Sequence, residues 1–188
     1  MKNEINNTLK VLQSGGIILY PTDTIWGIGC DATNPDAVER IYKLKGRDAG
    51  KSMIILLDSD GKLPGYVNDV PDIAYDLIEY AERPLTLIFP GAKNLAGNVI
   101  HQDGTIGIRI VKHPFCQQLI QRFRKPIVST SANISGQPSP ACFSDIDERI
   151  KTGVDYIVNL EQNEPGTNRQ PSTIMRLEPN GRFAFIRR

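Results

Sequence analysis

At 188 residues the chain fits a single domain, large enough to bury about 70% of the surface its unfolded form exposes. Basic and acidic residues number 22 and 21, so the composition supplies no bulk positive charge for capturing RNA or DNA. The three cysteines, Cys30, Cys116 and Cys142, lack metal-ligand and disulfide spacing, and no apolar run reaches membrane-spanning length. The polar start, Met1 to Lys10, has no signal-peptide core, so a cytoplasmic protein is expected.

Ile5, Leu9 and Leu12 recur at helical spacing up to Gly15-Gly16 and predict a first helix. Ile17 to Tyr20 reads as a buried strand stopped by Pro21, and Ile25 to Gly29 as a second strand after the Thr22-Asp23-Thr24 turn. Asn34-Pro35 is an N-cap with proline at the first helical position, and that helix runs to Lys45, where Gly46 can close it. Met53 to Leu57 is an apolar strand, Gly61 to Asn68 a loop, and Pro71 to Tyr80 a short helix. Strands are expected at Leu85 to Phe89 and Thr105 to Ile110, then a helix at Phe115 to Phe123 and a strand at Pro126 to Val128. Ile146 to Ile150 suggests a last helix, with strands at Tyr156 to Val158, Thr173 to Leu177 and Phe183 to Ile186. The alternation implies an α/β layered fold with a partly parallel sheet in one domain, residues 1–188.

Two segments carry chemistry. Lys45 to Ser52 places Lys45, Arg47 and Lys51 around Gly46 and Gly50, a pattern suited to phosphate. It also fits a solvated connection whose basic residues favour a helix C-terminus. A Walker A loop is excluded, because Lys45 stands where glycine is required and the helix precedes the loop instead of following it. The second segment, Ser129 to Gly136 after a strand, offers four hydroxyls and one carboxamide to a polar ligand, or a serine-rich turn. His101 and His113 read as loop and helix-start residues rather than catalysts. Basic clusters at Arg122, Arg124 and Lys125, and at Arg182, Arg187 and Arg188, read as solvated surface or a local nucleic-acid patch.

Lys45-x-Arg47 with Ser131-x-Asn133, together with Tyr20-Pro21-Thr22-Asp23-Thr24, Thr105 to Arg109 and Pro171 to Ile174, resembles the YrdC-like threonylcarbamoyl-AMP synthases. The likeness covers about Gly16 to Arg187, without the extra C-terminal domain of longer members. It implies a YrdC-like fold, a twisted mixed sheet flanked by helices with a concave ligand cavity. It implies adenylation of threonine and bicarbonate by ATP, with magnesium, to make threonylcarbamoyl-AMP for tRNA modification.

On this resemblance Lys45 and Arg47 are the catalytic pair. With Lys51 they hold the triphosphate, while Thr105, Ser131, Asn133 and Arg187 also face ATP. Thr24, Arg109, Ser129 and Ser172 hold threonine, and Asp23 or Asp48 can touch the metal. Arg109 has a planar fork suited to a carboxylate, although a strand residue reaching for solvent fits its place between Ile108 and Ile110 as well. Partners implied are tRNA or double-stranded RNA and the downstream tRNA transferase, with the chain a monomer or homodimer. Asp48 and Ser52 replace prolines common in the family, and Leu56 falls near a histidine position. These departures leave open an altered-activity paralogue that binds or hydrolyses the adenylate. A non-catalytic RNA-binding module is the other alternative.

Overall fold

The computed structural model describes residues 1–48, 53–163, 170–178 and 180–187. Five α-helices and nine strands are found among them: α1 (Lys2–Gln13), β1 (Ile18–Tyr20), β2 (Gly27–Gly29), α2 (Pro35–Lys45), β3 (Ile54–Leu57), α3 (Asp72–Glu79), β4 (Leu85–Phe89), β5 (Ile106–Ile110), α4 (Pro114–Phe123), β6 (Ile127–Ser131), α5 (Glu148–Gly153), β7 (Tyr156–Ile157), β8 (Thr173–Leu177) and β9 (Phe183–Arg187). The strands form one mixed sheet in the order β7-β1-β2-β6-β3-β5-β4-β8-β9. Pairings β7–β1, β3–β5 and β4–β8 are parallel and the others antiparallel.

Alternation along each strand divides the side chains between two faces. Leu19, Ile28, Ile55, Leu57, Leu87, Phe89, Ile106, Ile108, Val128 and Met175 point to one face and pack with Val38 and Ile41 of α2, Ala74 of α3 and Ile150 of α5. The opposite face carries Ile18, Tyr20, Leu56 and Ile127, covered by Ile5, Leu9 and Leu12 of α1 and Phe115, Leu119 and Ile120 of α4. On that second face, toward β8 and β9, the alternating positions change character: Ser129, Gly107, Arg109 and Thr86 interrupt the aliphatic run before Ile174. The register places them side by side, Ile54 beside Ser129 and Gly107, Arg109 between Leu56 and Thr86, and Thr86 beside Ile174. The helices therefore cover the apolar part of this face, and its polar part forms the wall of a cavity.

Local signals act as expected at α2. The Asn34 side chain accepts from Asp36 N and Ala37 N, and Gly46 closes the helix at φ 56°. Gly46 N donates to Lys43 O and Arg47 N to Tyr42 O, the paired bonds of a Schellman ending.

Four expectations are corrected. The stretch Gly61 to Asn68 is not all loop, because Asp60–Gly65 forms a 3-10 helix that buries Leu63. The second strand is confined to Gly27–Gly29, since Thr22 Oγ1 donates to Ile25 O and holds the preceding residues in a turn. The last helix begins after Ile146, at Glu148, capped by the Asp147 carboxylate on Arg149 N. Finally, Ser129 to Ser131 lie on β6 rather than beyond it, because Ser129 pairs with Ile54 and Ser131 with Gly27. No helix among the described residues is long and apolar enough to cross a membrane.

Gly29 shows how tightly the sheet is layered. A Cβ there would collide with the Val128 carbonyl and come within 2.8 Å of Tyr20 Cε1. Gly29→Ala is expected to lower the urea unfolding free energy by about 1–3 kcal/mol, whereas Gly61→Ala, with open space around it, should change it by less than about 0.5 kcal/mol.

Candidate active site

The cavity has a volume of about 230 Å³. Its described lining includes three arginines, Arg47, Arg109 and Arg187, the hydroxyl residues Thr24, Ser129, Thr130, Ser131, Ser139 and Ser172, and no acidic residue. Trp26, Met53, Ile54 and Ile174 form its apolar part.

Each arginine arrives by a different backbone device. Arg47 is the first residue beyond the left-handed Gly46, so the Schellman turn that ends α2 also sets its direction. Arg109 is held in the middle of the sheet, between Leu56 of β3 and Thr86 of β4. Arg187 depends on a β-bulge. Phe185 pairs with Met175 and Arg187 with Ile174, leaving Ile186 as an extra residue. The insertion changes the alternation, so Phe185 stays on the Met175 side while Arg187 turns to the cavity beside Ile174. Its Nε and Nη2 donate to Ser172 O at 3.0 and 2.8 Å.

The electrostatics are those of an anion receptor. Burial draws the pKa of Arg47 below its ordinary value, and burial followed by the neighbouring Arg109 does the same to Arg187. Arg109 is 4% exposed, which removes the solvent-reaching alternative for it. Its Nη2 lies 3.3 Å from Asp23 Oδ1, and its Nε has no hydrogen-bond partner among the described residues. A buried guanidinium N–H without an acceptor is costly, and a bound carboxylate satisfies it.

Hydroxyl groups line the same cavity, two of them in ordered pairs with a neighbouring hydroxyl. Thr22 Oγ1 donates to Ile25 O, so in the 2.9 Å contact with Thr24 Oγ1 the Thr24 hydroxyl is the donor. Its lone pairs are then left toward the cavity. Ser172 Oγ lies 2.8 Å from Thr86 Oγ1 in a fully buried pair, and Ser129 is 7% exposed.

Not every expected residue reaches this wall. Thr105 directly precedes β5 but is absent from the lining, and its hydroxyl donates to Asp103 Oδ1 at 2.7 Å. Asn133 lies behind the rim, with Nδ2 donating to Ile134 O and Gln137 O and its Oδ1 buried without a partner among the described residues. Lys45 is 1% exposed and donates from Nζ to Ser131 O and Asn133 O. Lys51 and Ser52 lie outside the described residues. Leu56 is fully buried beside Arg109 among the α1–α4 contacts. The sequence reading passed over Ser139, Thr86 and the bulge at Ile186, none of which carries a motif; the extra residue shows only once the strand pairing is known.

Other polar groups have structural employment. His113 is the N-cap residue of α4 with Nε2 2.6 Å from Glu161 Oε1, and His101 Nδ1 lies 2.8 Å from Asp103 Oδ1 in a loop. Within the first basic cluster Lys125 pairs with Asp31 at 2.7 Å. In the second, Arg187 faces the cavity and Arg188 lies outside the described residues. For a metal, no group of three or more His, Cys, Asp or Glu side chains suited to one is found among the described residues. Asp23 Oδ2 accepts from Lys112 N, its Oδ1 lies 3.3 Å from Arg109 Nη2 but has no hydrogen-bond partner among the described residues, and Asp48 follows Arg47 at an exposed position. These residues do not build a resident metal cage.

The sheet and its cavity define an α/β protein with an arginine-lined pocket. The family model Sua5_yciO_yrdC, described as "Telomere recombination", matches residues 10–188. The chain belongs to the Sua5/YciO/YrdC family. It is 37% identical to the threonylcarbamoyl-AMP synthase of Pseudoalteromonas translucida (strain TAC 125) over 92% of both chains. Sua5 of P. abyssi, solved in complex with L-threonine, is 29% identical with a TM-score of 0.82; the match covers 92% of this chain and 50% of that one, so this chain spans about half the length of Sua5. E. coli YciO, at 24% identity and a TM-score of 0.85, shares the fold over all of this chain and 89% of its own.

One consequence concerns pH. Burial, followed by the nearby Arg47, lowers the pKa of Lys45 from 10.5 to about 7. Between these values the unfolded chain binds the proton and the folded chain does not, so Lys45 makes stability rise with pH above about 7. The buried thiols of Cys30 and Cys116 and the Tyr20 phenol are raised, and they reverse the trend above about pH 9. Urea midpoints measured from pH 6.5 to 9 should therefore rise with pH in the native protein and rise less in Lys45→Met.

Proposed function

We propose that this chain is an L-threonylcarbamoyladenylate synthase, a nucleotidyltransferase acting on L-threonine, bicarbonate and ATP. The observation that carries this reading is the convergence of Arg47, Arg109 and Arg187 on a cavity whose described lining holds no acid. Its relatives named threonylcarbamoyl-AMP synthase and the threonine-bound Sua5 supply the substrates.

Arg109, with its unpartnered Nε and its setting among Thr24, Ser129 and Ser172, receives the threonine carboxylate as a planar fork. Arg47 and Arg187 face the triphosphate with Ser131 at the rim. The threonine amine adds to bicarbonate with loss of water to give a carbamate. A carbamate oxygen then attacks the α-phosphorus, and the bond to the β,γ-pyrophosphate breaks. No protein nucleophile is needed; the site contributes orientation and fixed positive charge where negative charge accumulates. Magnesium enters as part of the Mg·ATP substrate, held mainly by phosphate oxygens and water, with Asp23 or Asp48 at most an outer contributor. On this reading the product feeds a transferase modifying tRNA and the enzyme is cytoplasmic.

Purified protein with Mg·ATP should release pyrophosphate only when threonine and bicarbonate are both present, and Arg47→Ala should cut the rate at least tenfold while the protein stays folded. ATP binding without pyrophosphate release under these conditions contradicts the synthase reading and favours a relative that binds or hydrolyses the adenylate. Tight RNA binding at physiological salt without ATP binding favours the RNA module.

Arg109→Lys tests the carboxylate fork. A lysine keeps the charge but loses the bidentate geometry, so KM for threonine should rise at least tenfold while KM for ATP changes less than threefold. An unchanged threonine KM removes Arg109 from the amino-acid subsite.

A further inference from the structure

Lys45 matches the motif position expected to hold the triphosphate, yet its side chain is directed elsewhere. Its Nζ is bound to two main-chain carbonyls at the exit of β6, Ser131 O and, at 2.6 Å, Asn133 O. The main chain of the same residue takes the other side of the loop, with Ser135 N donating to Lys45 O at 2.8 Å. Asn133 then ties the loop to itself through Nδ2, at 3.0 Å to Ile134 O and 2.6 Å to Gln137 O. The cavity-lining residues Thr130, Ser131 and Ser139 flank this knot, and Lys45 itself is not part of the lining.

We infer that Lys45 is a positioning residue that clamps the 131–137 loop to the end of α2 and thereby sets the hydroxyl rim of the cavity, leaving contact with phosphate to Arg47. The identity of the ligand rests on the synthase reading; the clamp is a property of the protein without any ligand. Three physical points support it. Withdrawing Nζ toward a phosphate would leave two carbonyls without their donor. A neutral amine still carries two N–H donors, enough for both carbonyls, so the clamp needs donors rather than charge. The Schellman ending of α2 separates the two residues by function: Lys45 points inward under the loop, and Arg47, past the turn, lines the cavity.

Two readouts distinguish a clamp from a phosphate ligand: amide hydrogen exchange in the protein alone, and binding of inorganic tripolyphosphate by calorimetry. Lys45→Met, which has no donor, should speed exchange across residues 132–137 at least tenfold, with α1 and α4 unchanged. Lys45→Gln, a neutral donor, should keep loop exchange and tripolyphosphate affinity within about threefold of the native protein. Arg47→Ala should lose affinity at least tenfold with loop exchange unchanged. The inference is overturned if Lys45→Met leaves loop exchange unaltered, or if Lys45→Gln loses as much affinity as Arg47→Ala. If the native protein binds no tripolyphosphate, the functional reading fails, and the exchange comparison of Met with Gln still decides the clamp.

Discussion

Three guanidinium groups held around one small cavity repel one another, and the rest of the molecule can be understood from how that repulsion is contained. Burial lowers the pKa of Arg47, and burial followed by the charge of Arg109 lowers that of Arg187, so the site carries a standing electrostatic cost. The fold contains it with backbone geometry and with Asp23, whose Oδ1 lies 3.3 Å from Arg109 Nη2. Arg109 is fixed by ladders on both sides, Arg187 by a bulge at a sheet edge, and Arg47 by the end of a helix. A polyanion turns such repulsion into attraction, and charges already fixed in place are the condition for stabilising a reacting phosphate.

The positive residues in this region divide by chemistry. Guanidinium is planar, weakly hydrated and reluctant to lose its proton, so it suits the cavity wall, where carboxylate and phosphate must be gripped in a defined orientation. Ammonium titrates readily when buried, and Lys45 does so near pH 7. With or without its charge, the Lys45 amine keeps enough N–H donors for the two carbonyls it binds. The same sequence motif, Lys45-x-Arg47, thus supplies one residue to the wall and one to its foundation.

Much of the architecture was legible in the sequence because its causes are local. Asn34-Pro35 and Gly46 bound α2 by capping chemistry that operates within a few residues. The Ile-x-Ile alternation of β5 already places Gly107 and Arg109 on the face opposite Ile106 and Ile108. What sequence could not show depends on partners far along the chain. Ser129 to Ser131 read as a loop because hydroxyls are uncommon in strand interiors, and only pairing with Ile54 and Gly27 makes them strand. Thr105 and Lys45 match a family pattern, but whether their side chains point at ligand or at protein depends on Asp103 in one case and on the Ser131 and Asn133 carbonyls in the other.

The central claim is that the three arginines form one receptor, with Arg109 for the amino acid and Arg47 and Arg187 for the phosphates. A crystal structure of the protein with L-threonine and a non-hydrolysable Mg·ATP analogue tests it most directly. The threonine carboxylate should sit on the Arg109 guanidinium, phosphate oxygens within salt-bridge distance of Arg47 and Arg187, and Lys45 still on the Ser131 and Asn133 carbonyls. Nucleotide phosphates lying away from Arg47 and Arg187, or threonine bound without contact to Arg109, would contradict it.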